Sequence, residues 1–255
     1  MPKGLSMEKK KTGQAHDSIK WHMREMPLPY LTWWFALALT GVQESAILAL
    51  VEQDVLALLP TGSGKTVCMW GIVVLADRIL NGDPRPRGCH RIPNDNPDFV
   101  RPILIVICPL LNLMKSQCEA FNLLHGATTT GTFATFLSQD QTDEDILAGF
   151  RTGHTSFSIV YMTAEGATGA WSHLFRLPHF VKRIAALAID EAHCIIHWGQ
   201  VFRRAYGLLF ALRQQLGLHV PCIALSATLT PVEQVTVRNN LALWNVRVLE
   251  LPANR

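Results

Sequence analysis

The chain has 255 residues, 49% of them apolar and 17% charged, with 23 Lys and Arg against 20 Asp and Glu for a net charge of +3. That apolar fraction suits one large buried core and excludes an intrinsically disordered chain, while the nearly balanced charge neither requires nor forbids a polyanionic partner. The 6 cysteines contain no C-x-x-C pair, and four fall in apolar or motif segments, the pattern of reduced buried thiols in an intracellular protein rather than of a disulfide framework.

In chain order, residues 1–25 are polar, lack the apolar core of a secretory signal, and read as a mobile tail before a single domain over 26–255. The apolar stretch from Pro27 to Leu50 is interrupted by Thr32, Thr40, Gln43 and Glu44, which favours two short helices packed on a sheet over a membrane span. Beyond it, β-favouring runs alternate with helical ones. Strands are expected at Val55–Leu59, Ile103–Cys108, Thr128–Phe133, Ser158–Met162, Ala185–Asp190, Cys222–Ser226 and Val246–Leu251. Helices are expected at Gln43–Glu52, Lys65–Leu80, Leu110–Leu124, Asp143–Arg151, Ala205–Leu216 and Pro231–Leu241. The alternation predicts an α/β fold: a doubly wound, mostly parallel sheet with helices on both faces. Residues 81–101, rich in Pro, Gly and Asn, break the pattern and read as an inserted surface loop.

Two segments carry chemistry. Leu59-Pro-Thr-Gly-Ser-Gly-Lys-Thr66 lies between an apolar run and a helical one. In a loop of this kind the backbone N–H groups of Thr61, Gly62, Ser63 and Gly64 and the positive end of the next helix cradle a phosphate chain. Lys65 reaches the β/γ-phosphates and the Thr66 hydroxyl holds Mg²⁺. Asp190-Glu-Ala-His193 closes the apolar run Ala185–Ile189. It supplies Asp190 for the metal and Glu191 to orient and polarise an attacking water. Either match alone is weak, since G-K-T after a strand recurs by accident and D-E pairs are common on surfaces. In this order, each after an apolar run, they describe an ATP-hydrolysing site with ATP and Mg²⁺ as cofactors.

Further segments make the chain resemble the first, RecA-like motor domain of RecQ-type superfamily 2 DNA helicases. Cys68 follows the phosphate loop, as in that family. Val106-Ile-Cys-Pro-Leu-Leu-Asn-Leu-Met-Lys-Ser-Gln117 is similar to the family's Val-Ser-Pro-Leu-Ile-Ser-Leu-Met-Lys-Asp-Gln. Ile159-Val-Tyr-Met-Thr-Ala-Glu165 is similar to its Tyr-Val-Thr-Pro-Glu, and Ile223-Ala-Leu-Ser-Ala-Thr228 to its closing Ser/Thr-Ala-Thr. Trp198-Gly199, Phe202-Arg203 and Tyr206 resemble the aromatic-rich loop that sets RecQ enzymes apart.

The resemblance implies an ATP-dependent helicase motor that tracks 3′→5′ on single-stranded or tailed duplex DNA, nuclear in a eukaryote and cytoplasmic otherwise, with no membrane partner. It implies adenine reading by Gln43 and a link from phosphate state to nearby loops through His193. It also implies DNA contact or coupling through Pro109, Asn112, Lys115, Thr163, Trp198, Phe202, Arg203, Ser226 and Thr228.

Bland readings stand beside these. Gln43 could be a surface glutamine, Ser226 and Thr228 could cap the following helix, and Trp198, Phe202 and Tyr206, at i, i+4 and i+8, could form one buried helical face. The sequence departs from the pattern at Leu59, where the general phosphate loop has Gly, and at Thr40, where the family has Arg. Gln200 and Val201 replace a His-Asp pair, which predicts loosened coupling between DNA binding and hydrolysis. Only 27 residues (255 − 228) follow Thr228, so a second motor domain, which brings an arginine finger, is expected to be missing or supplied in trans. The expectation is a weak hydrolase that does not unwind alone. The rival readings are a non-catalytic ATP- and DNA-binding module and an RNA-directed DEAD/DEAH-type domain.

Overall fold

The computed structural model describes residues 39–80, 102–125, 133–138, 141, 143–152, 157–197 and 204–251. Helix α1 (Gly41–Leu50) begins where Thr40 and Gln43 cap each other. The Thr40 hydroxyl accepts from Gln43 N at 3.5 Å, and Gln43 Oε1 accepts from Thr40 N at 2.9 Å. Strand β1 (Asp54–Leu58) then leads through the glycine-rich turn into α2 (Lys65–Leu80), and β2 (Ile103–Ile107) into α3 (Leu111–His125). β3 (Phe133–Leu137), α4 (Glu144–Thr152), β4 (Phe157–Met162), the short helices α5 (Ala164–Thr168) and α6 (Pro178–Val181), and β5 (Ile184–Ile189) follow. α7 (Cys194–His197), α8 (Leu209–Leu216), β6 (Cys222–Ser226), α9 (Pro231–Asn240) and β7 (Val246–Glu250) complete the order. At the start of α9, Thr230 and Glu233 form a second reciprocal cap with Pro231 in the first turn.

All seven strands form one sheet in the order β3-β4-β2-β5-β6-β1-β7, and every neighbouring pair is parallel. A parallel sheet covered on both faces needs strands apolar at successive positions, and β1, β2, β5 and β6 are buried at every residue. Alternate side chains divide between two cores. Val55, Ala57, Leu104, Val106, Ala186 and Ala188 pack under α1, α2 and α3. Leu56, Leu58, Ile105, Ile107, Leu187 and Ile189 pack under the helices on the other face, with Phe150, Phe180 and Tyr206. The expected doubly wound α/β architecture is therefore present, and all-parallel.

One strand lies elsewhere than expected. Residues 128–132 fall outside the described residues, and the strand that joins the sheet is Phe133–Leu137. The β-branched Thr128-Thr-Thr130 suggested the earlier position, but the strand Phe133–Leu137 reaches both cores, with Ala134 in one and Leu137 in the other. Asn122 of α3 fixes this edge: its amide donates to Ala134 O at 3.0 Å and its Oδ1 accepts from Ala134 N at 2.7 Å, so backbone groups that would face solvent are paired. The tail at 1–25, the 81–101 insertion, and Trp198, Phe202 and Arg203 lie outside the described residues. No helix among the described residues is long and apolar enough to cross a membrane.

Candidate active site

The strand order places the turns after β1, β5 and β6 side by side at the carboxyl edge of the sheet, where ligands of open parallel sheets bind. Gly62 and Gly64 adopt φ of +83° and +79°, a region that a side chain disfavours, which turns the phosphate loop sharply into α2. A Cβ on Gly64 would also lie 2.2 Å from Gln43 Nε2, so the loop and α1 touch where a glycine is required. Ser63 closes the turn on Pro60: its Oγ donates to Pro60 O at 2.6 Å and its N–H at 3.2 Å. Thr61 and Gly62 are exposed, Ser63, Gly64, Lys65 and Thr66 are half-buried, and Lys65 begins the 16-residue helix α2.

The Asp190–His193 turn is pinned on both sides. Asp190 N donates to Ile107 O of β2 at 2.9 Å and Ala192 N to Leu225 O of β6 at 2.8 Å. Between these anchors Glu191 is held at φ +51°, an uncommon conformation for a residue with a side chain and one that stores strain. Its carboxylate faces the loop: Lys65 Nζ stands 3.4 Å from Glu191 Oε1, and His193 Nδ1 3.3 Å from Oε2. His193 Nδ1 is also 3.4 Å from Ser226 Oγ, which donates to Thr228 O at 3.3 Å. With its proton on Nδ1, His193 donates toward both Glu191 and Ser226, so one tautomer satisfies the series. A polar chain Lys65–Glu191–His193–Ser226 thus joins the turns after β1, β5 and β6.

Asp190 is buried beside it. Glu191 N donates to its Oδ1 at 3.0 Å and Gln117 Nε2 to its Oδ2 at 3.4 Å. Burial first, and then the neighbouring Glu191 carboxylate, hold its pKa above the usual carboxylate range. A buried carboxylate next to a second one suits a hard cation, and the Thr66 hydroxyl on the first turn of α2 is of the same donor class. Among the described residues no group of three or more His, Cys, Asp and Glu could hold a metal by itself. Burial raises the thiols of Cys68, Cys108 and Cys118 to about 12, above the reactive thiolate range.

The structure brings some sequence-selected residues to this edge in other roles. Gln43 is buried, with both ends of its amide engaged: Oε1 in the α1 cap and Nε2 donating to Ser63 O at 3.0 Å. Thr163 caps α5, its hydroxyl accepting from Gly166 N at 3.0 Å. Pro109 is buried after β2, while Asn112 and Lys115 are exposed on the first turns of α3. Lys115 Nζ lies 5.8 Å from the centroid of the Phe136 ring, directing it toward β3 and β4. Tyr206 is fully buried, so the last member of the aromatic triplet belongs to the core.

Two residues escaped selection. Gln117 was visible as a polar residue on the apolar face of α3, three positions after buried Met114 and four before buried Phe121. Arg213 was similarly placed in α8 between Leu209, Leu212 and Leu216, and it pairs with Asp54 at the opposite edge of the sheet.

A family model for the DEAD/DEAH box helicase matches residues 40–235. The chain is 33% identical over 202 residues to the ATP-dependent DNA helicase Q5 of Rattus norvegicus, an alignment covering 78% of this chain and 18% of that protein. It is 30% identical over 220 residues to the RecQ-like DNA helicase blm-1 of Caenorhabditis elegans, covering 81% of this chain and 18% of the relative. With the ATP-dependent DNA helicase RecQ of Bacillus subtilis it shares 29% over 194 residues, covering 74% of this chain and 27% of the relative. The chain therefore spans about a quarter or less of the length of these relatives. Among solved structures, the DUF1998 helicase MrfA bound to DNA and AMPPNP superposes with a TM-score of 0.62 at 13% identity, over 83% of this chain and 27% of that one. The Pyrococcus furiosus Hef helicase domain gives 0.55 at 18%, over 83% of this chain and 38% of that one. At such identities the likeness concerns the fold, a RecA-like helicase domain.

Proposed function

The chain belongs to the DEAD/DEAH box helicase family, its curated relatives being RecQ-type helicases, and from that premise we propose that it is an ATP-dependent DNA helicase motor domain. It binds Mg-ATP where β1, β5 and β6 end and single-stranded DNA beside it, where β2 and β4 end. The observation that carries this reading is the polar chain Lys65–Glu191–His193–Ser226.

Each member of the chain has work that fits its position. Lys65 exchanges the Glu191 carboxylate for the β/γ-phosphates, and the N-terminus of α2 with the turned backbone at Gly62 and Gly64 receives the rest of the phosphate chain. Asp190 and Thr66 would hold Mg²⁺, which would neutralise charge on the phosphates. Released from Lys65, Glu191 orients the attacking water, with His193 steadying its other oxygen. His193 and Ser226 carry the change to the end of β6 and to Thr228, which the family resemblance implies in coupling to DNA. Gln43, held by Ser63, gives up one of its two amide bonds to read adenine, which ties base recognition to the shape of the loop.

Asn112 and Lys115 approach phosphates, and Pro109 and Thr163 shape that edge. Trp198, Phe202 and Arg203 add base stacking and charge, in keeping with the DNA-bound state named for MrfA. The direction of tracking is 3′→5′.

Glu191→Gln tests the reading. It keeps the shape of the side chain but removes the negative charge, so nucleotide affinity should stay within about threefold while DNA-stimulated phosphate release falls at least about 100-fold. Fluorescent-nucleotide titration and a phosphate-release assay on the same preparation measure both. A variant as active as the parent removes Glu191 from the reaction, and a parent that binds nucleotide without turnover supports the binding-module reading instead.

A further inference from the structure

We propose that Gln117 is a positioning residue that fixes the rotamer of Asp190 and thereby joins the metal carboxylate to α3, the helix whose first turns carry Asn112 and Lys115. The proposal rests on the Mg-nucleotide reading above. Gln117 is 8% exposed and Asp190 3%, and the two meet across 73 positions of sequence. Gln117 Nε2 donates to Oδ2 at 3.4 Å, and the backbone N–H of Glu191 donates to Oδ1 at 3.0 Å.

One donor on each oxygen sets the plane of the carboxylate and leaves a lone pair on each for a cation. The orientation of the amide follows from charge, since the reverse assignment would set its carbonyl oxygen against an ionised carboxylate. The other end, Oε1, is buried and accepts no hydrogen bond among the described residues, so the side chain is aimed through its N–H₂ group alone. Gln117 lies on the buried face of α3, and Asn112 and Lys115 are exposed on the same helix. A strand pulling on the first turns would move the amide that holds Asp190.

Gln117→Met preserves length and removes the donor. Outer residues that orient a metal ligand commonly alter metal affinity by about 10–100-fold. In a titration of the full chain with a fluorescent ADP analogue, the Mg²⁺ concentration giving half-maximal binding should rise at least about tenfold. Affinity measured in EDTA should stay that of the parent, a separation that general loosening of the fold would not produce. If the parent depends on Mg²⁺ and the variant shares its midpoint, the proposal is overturned alone. If the parent binds nucleotide with no Mg²⁺ dependence, the Mg-nucleotide reading falls and this proposal with it. Should the variant fail to fold, the parent still decides the matter. Mg²⁺ added to the ADP-saturated protein should shift the Gln117 side-chain amide resonance, and a resonance that ignores Mg²⁺ overturns the proposal.

Discussion

At the amino edge of the sheet, Arg213 Nη2 stands 3.0 and 3.1 Å from the two oxygens of Asp54. At the carboxyl edge, Lys65 Nζ stands 3.4 Å from Glu191, with 12% and 27% of these two side chains still open to solvent. The first pair has every feature of a lock. Arg213 is fully buried, its guanidinium also donates to the carbonyls of Gly217, Leu218 and Val220, and Asp54 Oδ1 accepts from Cys222 N. It ties the end of α8 to the starts of β1 and β6. The second pair is long, half-open and shared with His193, and its partners are the groups a phosphate chain would separate. A planar, multidentate cation in a dry site resists exchange, whereas a point-charge ammonium at a wet one accepts it.

The largest expected effect tests the lock. Arg213→Ala leaves the buried Asp54 carboxylate without its counter-charge and removes the guanidinium donor from the Gly217, Leu218 and Val220 carbonyls, and should lower the unfolding free energy by about 3–5 kcal/mol in urea titration. A loss under about 1 kcal/mol would make the two pairs equivalent and dissolve the contrast.

Lys65→Ala should do the opposite. This pair is long and shared with His193, so its loss should move stability much less than loss of the Arg213–Asp54 pair. Nucleotide affinity should fall at least tenfold, about 1.4 kcal/mol, in calorimetry. Unchanged affinity would remove the phosphates from this loop.

The smallest effect is in pH. Burial and Glu191 raise the folded pKa of Asp190, so the folded protein holds that proton more firmly than the unfolded chain does. Stability from this group is therefore lost as pH rises through the raised value. Asp190→Asn should melt above the parent at neutral pH, with the difference shrinking on acidification below the ordinary carboxylate range. A difference independent of pH would remove charge as its cause.

How much of this was legible beforehand differs between the two edges. The glycine-rich turn at Gly62 and Gly64 and the Asp190–His193 turn stand out as local patterns of neighbouring residues, and the fold sets both at the carboxyl edge of the sheet. The helix Lys65–Leu80 was likewise written in a continuous apolar stretch after a glycine turn. The short helices between Ala164 and Val181 were not visible, since none is long enough to show a period. The edge strand was misplaced because β-branched content alone does not say which segment reaches both cores. Gln43 and Thr163 were chosen for ligands, and the fold employs both as caps as well, a role that depends only on neighbours three residues away.

The sequence by itself determined the alternation of strands and helices, the sharp turn at Gly62 and Gly64, and the residue types available for phosphate, cation and water. Only the tertiary structure decided their company. Lys65 meets Glu191 across 126 positions, Arg213 meets Asp54 across 159, and Gln117 meets Asp190 across 73. Such meetings follow from the order β3-β4-β2-β5-β6-β1-β7, which is fixed by burying both faces of every central strand at once. That requirement sums over the whole chain, and no local spacing contains it.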